Sequence, residues 1–256
     1  MSKRGLEDLA AVACAAADRA RAEVLPRFRD VAIEIKSDGS PVTEADRAAE
    51  RAMRETLREA TPDIALVGEE FGGEIEASGR HWVLDPIDGT IAFSRGIPLF
   101  ATLLALVEEG EPVLGVIDLP ALGERYVGWK GGGCRRNGVP TRVSEDRDLA
   151  SAIVSHGDPF TFERFGRRDV FERMAQRIPL LRGYTDAFGH ALVLGGGVGA
   201  MVDLDLNLWD AAATQVLVPE AGGRCVSLPP RGGKIGLVLG AAPLVEALLA
   251  LVDESA

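Results

Sequence analysis

Trp82-Val83-Leu84-Asp85-Pro86-Ile87-Asp88-Gly89-Thr90 is the stretch on which the fold turns. The apolar run from His81 to Leu84 predicts a short strand entering the core. Asp-Pro predicts its end, because proline brings no N–H to a ladder, and Asp-Gly-Thr follows at once. Two carboxylates, a carbonyl held by the turn, a glycine and a hydroxyl thereby gather at one strand end. Hard cations such as Mg²⁺ take oxygen ligands, and a strand end backed by a sheet is a stiff place to hold them. The same residues equally describe a solvated turn, since Asp, Pro and Gly are the commonest turn formers. The rest of the chain has to decide between the two.

At 256 residues the chain is long enough to bury a large core, as one domain or as two interlocked halves. Its hydrophobic fraction of 46% describes a soluble globular protein, not a disordered one. A formal net charge of −11, with no Lys/Arg-rich run, argues against a nucleic-acid partner. No apolar stretch nears the roughly 18 residues that span a bilayer. Glu7, Asp8, Asp18, Arg19 and Arg21 are too highly charged for a signal peptide. Cys14, Cys134 and Cys225 lie far apart and lack CxxC spacing, so neither a disulfide framework nor a zinc site is expected. A reducing cytoplasm fits this cysteine usage.

In chain order, residues 3–30 predict a long helix with Leu6, Leu9, Val12 and Ala16 near helical spacing. Val31 to Ile35 alternates like a strand, and a loop rich in turn formers follows to Pro41. Thr43 caps a helix reaching Ala60, and Ile64 to Val67 is a strand ending in Gly68-Glu69-Glu70. Beyond Thr90, Leu99–Val107 and Val113–Leu119 predict a hairpin joined by five residues. Arg125–Trp129 and the tight turn at Asn137-Gly138 continue the meander. The second half predicts a strand at Ala152–Ser155, a helix at Thr161–Arg177, a strand near 179–183 and a helix at Phe188–Leu194. A strand at Ala200–Asp203, a helix from Asp210 to Ala221, late strands at Cys225 and Ile235–Leu239 and a closing helix at Pro243–Val252 follow. Helices and strands in both halves give an α/β (α+β) chain with a boundary near 140–150.

Asp46, Glu69, Glu70, Asp85, Asp88 and Asp210 are the acids that stand out. Each alone has an ordinary explanation: a solvated helix face, an exposed pair, a turn or an N-cap. Five of the six sit at element ends after short apolar segments, however, and carboxylates gathered there need cations to offset their repulsion. The rival motif Gly195-x-Gly197-x-x-Ala200, with Glu220 twenty residues on, has dinucleotide-binding spacing. It leads into Met201-Val202-Asp203, a predicted strand, where that fingerprint needs a helix. His81 and His156 are expected as surface or internally satisfied residues. No GxSxG elbow is present, which disfavours acyl transfer.

Gly68-Glu69-Glu70, Asp85-Pro86-Ile87-Asp88-Gly89-Thr90-x-x-Phe93 and Trp209-Asp210-x-Ala212-Ala213, taken together, resemble the inositol monophosphatase family. Val42-Thr43-x-x-Asp46 and Glu220-Ala221-Gly222-Gly223 match it too. The resemblance implies a layered α-β-α-β-α fold, commonly a homodimer, and a lithium-sensitive phosphatase using two or three Mg²⁺ ions. Its metal ligands fall on Glu69, Asp85, the Ile87 carbonyl, Asp88 and Asp210. Asp46 and Thr90 fall on the pair that orients the attacking water, and the amides of Gly89 and Thr90 on the phosphate contacts. One lobe, residues 1–145, would carry most ligands; the other, 146–256, would carry Asp210 and the substrate contacts.

Substrate choice is expected to lie elsewhere. Ser94-Arg95-Gly96-Ile97-Pro98, Gly115-Val116-Ile117-Asp118-x-Pro120 and Glu124-Arg125 look more like the histidinol-phosphatase branch than like the inositol enzymes. Thr185-Asp186-x-x-Gly189-His190 resembles that branch's pattern, with Thr185 in place of its glycine. An acid at 186 suits a substrate bearing an ammonium group. Asp203 falls on the family's substrate-contacting acid. The expected activity is hydrolysis of L-histidinol phosphate. Inositol monophosphate or another small sugar phosphate is the alternative, and a metal-binding homologue without turnover is the other class.

Overall fold

A computed structural model describes residues 5–37, 39–74 and 79–254. Residues 3–4 of the expected first helix and Asp38 of the expected loop lie outside them. Helix α1 (Leu6–Val24) buries Leu9, Ala13, Ala16, Ala17, Ala20 and Val24, a stripe of small residues at helical spacing. It ends earlier than the expected residue 30 because Pro26 forces a 3₁₀ turn at Leu25–Arg27. Only Glu34–Ile35 of the expected 31–35 strand forms, as β1, pairing with β2 (Pro41–Val42). Helix α2 (Glu44–Ala60) begins as predicted, its capping box closed by Thr43 and Asp46. Alanines 45, 48, 49 and 52 let it pack closely on α1.

Strand β3 (Ala65–Gly68) runs parallel to β4 (Arg80–Asp88). Here one expectation is overturned: Asp85-Pro86 does not end the strand. Asp85 faces Leu103 and Asp88 faces Ala101, so three steps along β4 oppose two along its neighbour. Pro86 sits in this bulge, where the ladder asks for no donor, and its carbonyl accepts from Thr102 Oγ1 at 2.8 Å. Short helix α3 (Thr90–Ser94) follows, with Gly89 at φ +83° as its N-cap. Strands β5 (Ala101–Glu108) and β6 (Glu111–Leu119) form the predicted hairpin. Its turn is two residues, not five, because Glu109 and Gly110 both adopt positive φ. Strands β7 (Glu124–Trp129), β8 (Gly133–Arg136) and β9 (Val139–Pro140) complete a seven-stranded sheet ordered β3 to β9.

The second half contains β10 (Val154–His156), α4 (Pro159–Arg164) and α5 (Arg168–Arg177). The single helix expected over 161–177 is thus broken, and Gly166 at φ +70° makes the break. Then come β11 (Leu181–Arg182), α6 (Asp186–Leu194), β12 (Ala200–Leu206) and α7 (Leu208–Glu220). Strands β13 (Arg224–Arg231) and β14 (Lys234–Gly240) and helix α8 (Ala242–Asp253) close the chain. The five-stranded sheet runs β11-β10-β12-β14-β13.

The layers follow from which faces are apolar. Helices α1 and α2 cover one face of the seven-stranded sheet through Leu9, Met53, Leu57, Trp82, Leu84 and Leu104. Its other face packs on α6 and α7, which also meet Met201, Leu237 and Leu239 of the five-stranded sheet. Beyond that sheet, α4, α5 and α8 bury Phe162, Met174, Leu244 and Leu248. The result is the α-β-α-β-α stack expected. Gly115 matters to it: a Cβ there would lie 2.6 Å from the Ala213 carbonyl, so its absence lets α7 lie against β6. Asp118, fully buried, accepts from Arg21 Nη2 at 2.6 Å and Arg125 Nε at 2.7 Å, and so ties α1 to the sheet. Asp118 and Arg125 therefore do structural work in the segment that looked specific to one branch.

Candidate active site

Asp85 sits on the last regular rung of β4 before the bulge and Asp88 just beyond it, so the bulge turns both carboxylates to one side. Asp85 Oδ1 accepts from the Ile87 amide at 3.0 Å, which fixes the turn and the direction of the Ile87 carbonyl. Asp210 arrives from the opposite direction. It is not the N-cap of α7 but its third residue. Its Oδ2 accepts from the Asn207 amide at 2.7 Å, closing a capping box. Carboxylate oxygens of Asp85, Asp88 and Asp210 lie within 4.8 Å of one another.

Three carboxylates at that spacing repel strongly, by about 3 kcal/mol per ionised pair at an effective dielectric near 20. Their protonation shows the strain. Burial, then Glu69, Asp88, Asp210 and Asp46, raises the Asp85 carboxyl well above its usual range. Burial and the neighbours Asp186 and Asp210 do the same to Asp88. Asp210 is pushed up to about 7, first by burial and then by Glu69 and Asp203, against the pull of the Asn207 amide and Lys234. The Ala187 amide, at the start of α6, donates to Asp88 Oδ2 at 2.6 Å and, like the Ile87 and Asn207 amides on Asp85 and Asp210, offsets part of this charge. The donor set is all oxygen, clustered and short of positive charge. It fits a hard divalent cation such as Mg²⁺ and suits neither zinc nor copper, which prefer nitrogen and sulfur.

Asp46 lies on the first turn of α2, fully buried. Its Oδ2 accepts from the Thr43 amide and hydroxyl at 2.8 and 2.5 Å, so its Oδ1 is left facing Thr90 Oγ1 at 3.3 Å. The Thr90 hydroxyl has one proton and two acceptors, Asp46 and the Ile87 carbonyl at 3.0 Å. Burial raises the Asp46 carboxyl to about 6, opposed by the Thr43 contacts and aided by Glu69. The two residues expected to act as a pair are thus in contact. Gly89 and Thr90 sit at the start of α3, and the Asp186 carboxylate lies over Gly89.

Glu69 follows β3, its amide bonded to the Leu84 carbonyl at 3.1 Å. Its charge bears on Asp85, but it stands outside the tight triad. Lys36, which the sequence placed only in a loop, reaches Glu69 Oε1 at 2.8 Å and Glu70 Oε1 at 2.6 Å. Burial works against the Lys36 charge, yet the two carboxylates raise its pKa overall. Burial raises Glu70 to about 7 despite that contact.

The residues expected to face the substrate gather around α6. Thr185 Oγ1 donates to Asp186 Oδ2 at 3.1 Å, and Asp186 adopts φ +57°, a strained value for a non-glycine residue. Burial, then Asp203, raises the Asp186 carboxyl to about 6, opposed by Thr185 and His190. Asp203 is buried and paired with His190 Nε2 at 3.1 Å, whose Nδ1 meets Thr214 Oγ1 at 2.8 Å. His190 thus anchors an expected substrate acid, a role that a lone histidine in an apolar helix does not announce. His81, expected as a surface or internally satisfied residue, is buried. The glycine run at 195–199 leads into β12, so it is a helix-to-strand connection. Among the described residues, no helix is long and apolar enough to cross a membrane.

The comparisons with known proteins agree with this geometry. The model of the inositol monophosphatase family matches residues 5–253. A histidinol-phosphatase of Mycobacterium tuberculosis is 39% identical over 87% of this chain and 90% of its own. An inositol-1-monophosphatase of Rhizobium meliloti is 34% identical over 87% and 85%. The solved inositol monophosphatase of Zymomonas mobilis superposes with a TM-score of 0.85 at 33% identity, covering 98% of this chain and all of that one. With its layered fold, its acidic triad and a family match over nearly its whole length, the chain belongs to the inositol monophosphatase family.

Proposed function

We propose that this chain is a Mg²⁺-dependent phosphomonoesterase that hydrolyses L-histidinol phosphate to L-histidinol and phosphate. The observation that carries the reaction class is the Asp85–Asp88–Asp210 triad with the Asp46–Thr90 pair beside it. Glu69, Asp85, Asp88, Asp210 and the Ile87 carbonyl would hold two or three ions. When bound, Mg²⁺ screens the phosphate charge and eases formation of the nucleophile and departure of the alkoxide. The Thr90 hydroxyl accepts from the attacking water, and the Asp46 carboxylate is placed to take the released proton. The Gly89 and Thr90 amides hold phosphate oxygens. No covalent nucleophile is required, so positioning and charge carry the chemistry.

The substrate rests on α6. Asp186 lies over Gly89, next to the phosphate site, and a carboxylate there suits an ammonium group. Asp203 and Thr185 complete that wall. The relative named histidinol-phosphatase over most of its length favours the same substrate. In this reading residues 1–145 and 146–256 act as two lobes of a cytoplasmic, lithium-sensitive homodimer. Phosphate release from histidinol phosphate, inositol monophosphate, fructose bisphosphate and a nucleotide 3′-phosphate tests it. Preference for inositol monophosphate would replace the substrate, and no Mg²⁺-dependent release from any would leave a metal-binding homologue without turnover.

A further inference from the structure

Glu50 lies one turn beyond Asp46 on α2, on the same helix face, and no metal ligand or substrate contact accounts for it. It is fully buried. Burying a carboxylate is costly unless its lone pairs are engaged, and an apolar side chain would fill the space more cheaply. Its oxygens are spent on one segment. Oε2 accepts from the Glu70 amide at 2.8 Å; Oε1 accepts from the Phe71 amide at 3.3 Å and from Arg54 Nε at 2.7 Å. Arg54 in turn donates to the Gly72 carbonyl at 2.5 Å and lies 5.9 Å from the Phe71 ring centre. A side chain at Gly68 would run into the Glu50 carboxylate, so the glycine of Gly68-Glu69-Glu70 leaves room for it. The turn carrying Glu69 is therefore held by β4 on one side and by this buried ion pair on the other.

We propose that Glu50 and Arg54 are positioning residues that fix the Glu69 turn and thereby set the affinity of the site for its divalent cation. This rests on Glu69 being a ligand, as proposed above. Partners that orient ligands from outside typically change metal affinity ten- to a hundredfold when removed. The test is calorimetric titration of Mg²⁺ into metal-free protein, beside Mg²⁺ activation of phosphate release. Glu50→Gln should weaken Mg²⁺ binding roughly ten- to a hundredfold and raise the activating concentration in step, with KM at saturating Mg²⁺ unchanged within about twofold. Arg54→Lys, which keeps the charge but not the fork, should weaken it at least about threefold. Asp118→Asn is the control: it weakens the ion pairs of an equally buried carboxylate elsewhere, so it should lower Tm and leave Mg²⁺ affinity unchanged. Glu69→Ala supplies the reference loss. If Glu69→Ala weakens binding while Glu50→Gln and Arg54→Lys do not, the positioning role is wrong. If Glu69→Ala itself has no effect, the ligand assignment fails instead. Should Glu50→Gln not fold, Arg54→Lys decides alone.

Discussion

Asp210→Asn should make the metal-free protein more stable at alkaline pH while abolishing its response to Mg²⁺. Asparagine keeps an oxygen for the Asn207 amide, so the cap of α7 survives and the change is one of charge. Unfolded, the Asp210 carboxyl loses its proton near its ordinary value of 3.8; folded, burial and its neighbours hold it until about 7. Between those values the folded state binds more protons, so stability falls as pH rises through the window. Above it the full cost is about 4 kcal/mol at 1.36 kcal/mol per pH unit. Asp210 keeps an edge open to solvent, which reduces this to roughly 2–4 kcal/mol, or about 4–12 °C in Tm for a chain this size. Thermal unfolding of both proteins with chelator and with Mg²⁺, near pH 4 and near pH 8, is the assay. The variant should match the parent near pH 4 without metal, exceed it near pH 8, and gain nothing from Mg²⁺. A variant no more stable than the parent near pH 8, or one that Mg²⁺ stabilises as strongly, would refute the picture of a strained, cation-seeking cluster.

Thr90→Val should cut phosphate release about 10²–10⁴-fold while leaving Mg²⁺-induced stabilisation in place, which separates water positioning from metal binding. Asp186→Ala should raise KM for histidinol phosphate roughly 10- to 100-fold and affect inositol phosphate far less; equal losses would rule out an ammonium contact. Gly115→Ala should cost about 1–3 kcal/mol by pressing on the Ala213 backbone. By displacing α7, and Asp210 with it, the same change should lower kcat roughly 10²-fold. A stability loss with full activity would mean that α7 can shift without moving the ligand.

The strands and helices legible in the sequence were those with local causes. Thr43 and Asp46 wrote the start of α2, and Asn137-Gly138 wrote its turn. Continuous apolar runs gave β5 and β6, though the compact turn at Glu109-Gly110 depended on two positive φ values that glutamate does not advertise. The strand through Asp85-Pro86 was misread for a related reason: proline ends a ladder unless the partner strand accommodates a bulge, and only the pairing with β5 reveals that it does.

By itself the sequence determined the kinds of ligand this site offers, their order and their attachment to element ends, because strand ends, caps and turns are short-range chemistry. It could not place Lys36 on Glu69, Glu50 under the Glu69 turn or His190 on Asp203. Those contacts join residues 13 to 33 positions apart across packed layers. The tertiary structure alone decided them, since a buried charge is stable only beside its partner and the partner is chosen by the fold. The same holds for the three acids: Asp210 stands beside Asp85 and Asp88 because Gly115 lets α7 press against the sheet that carries them.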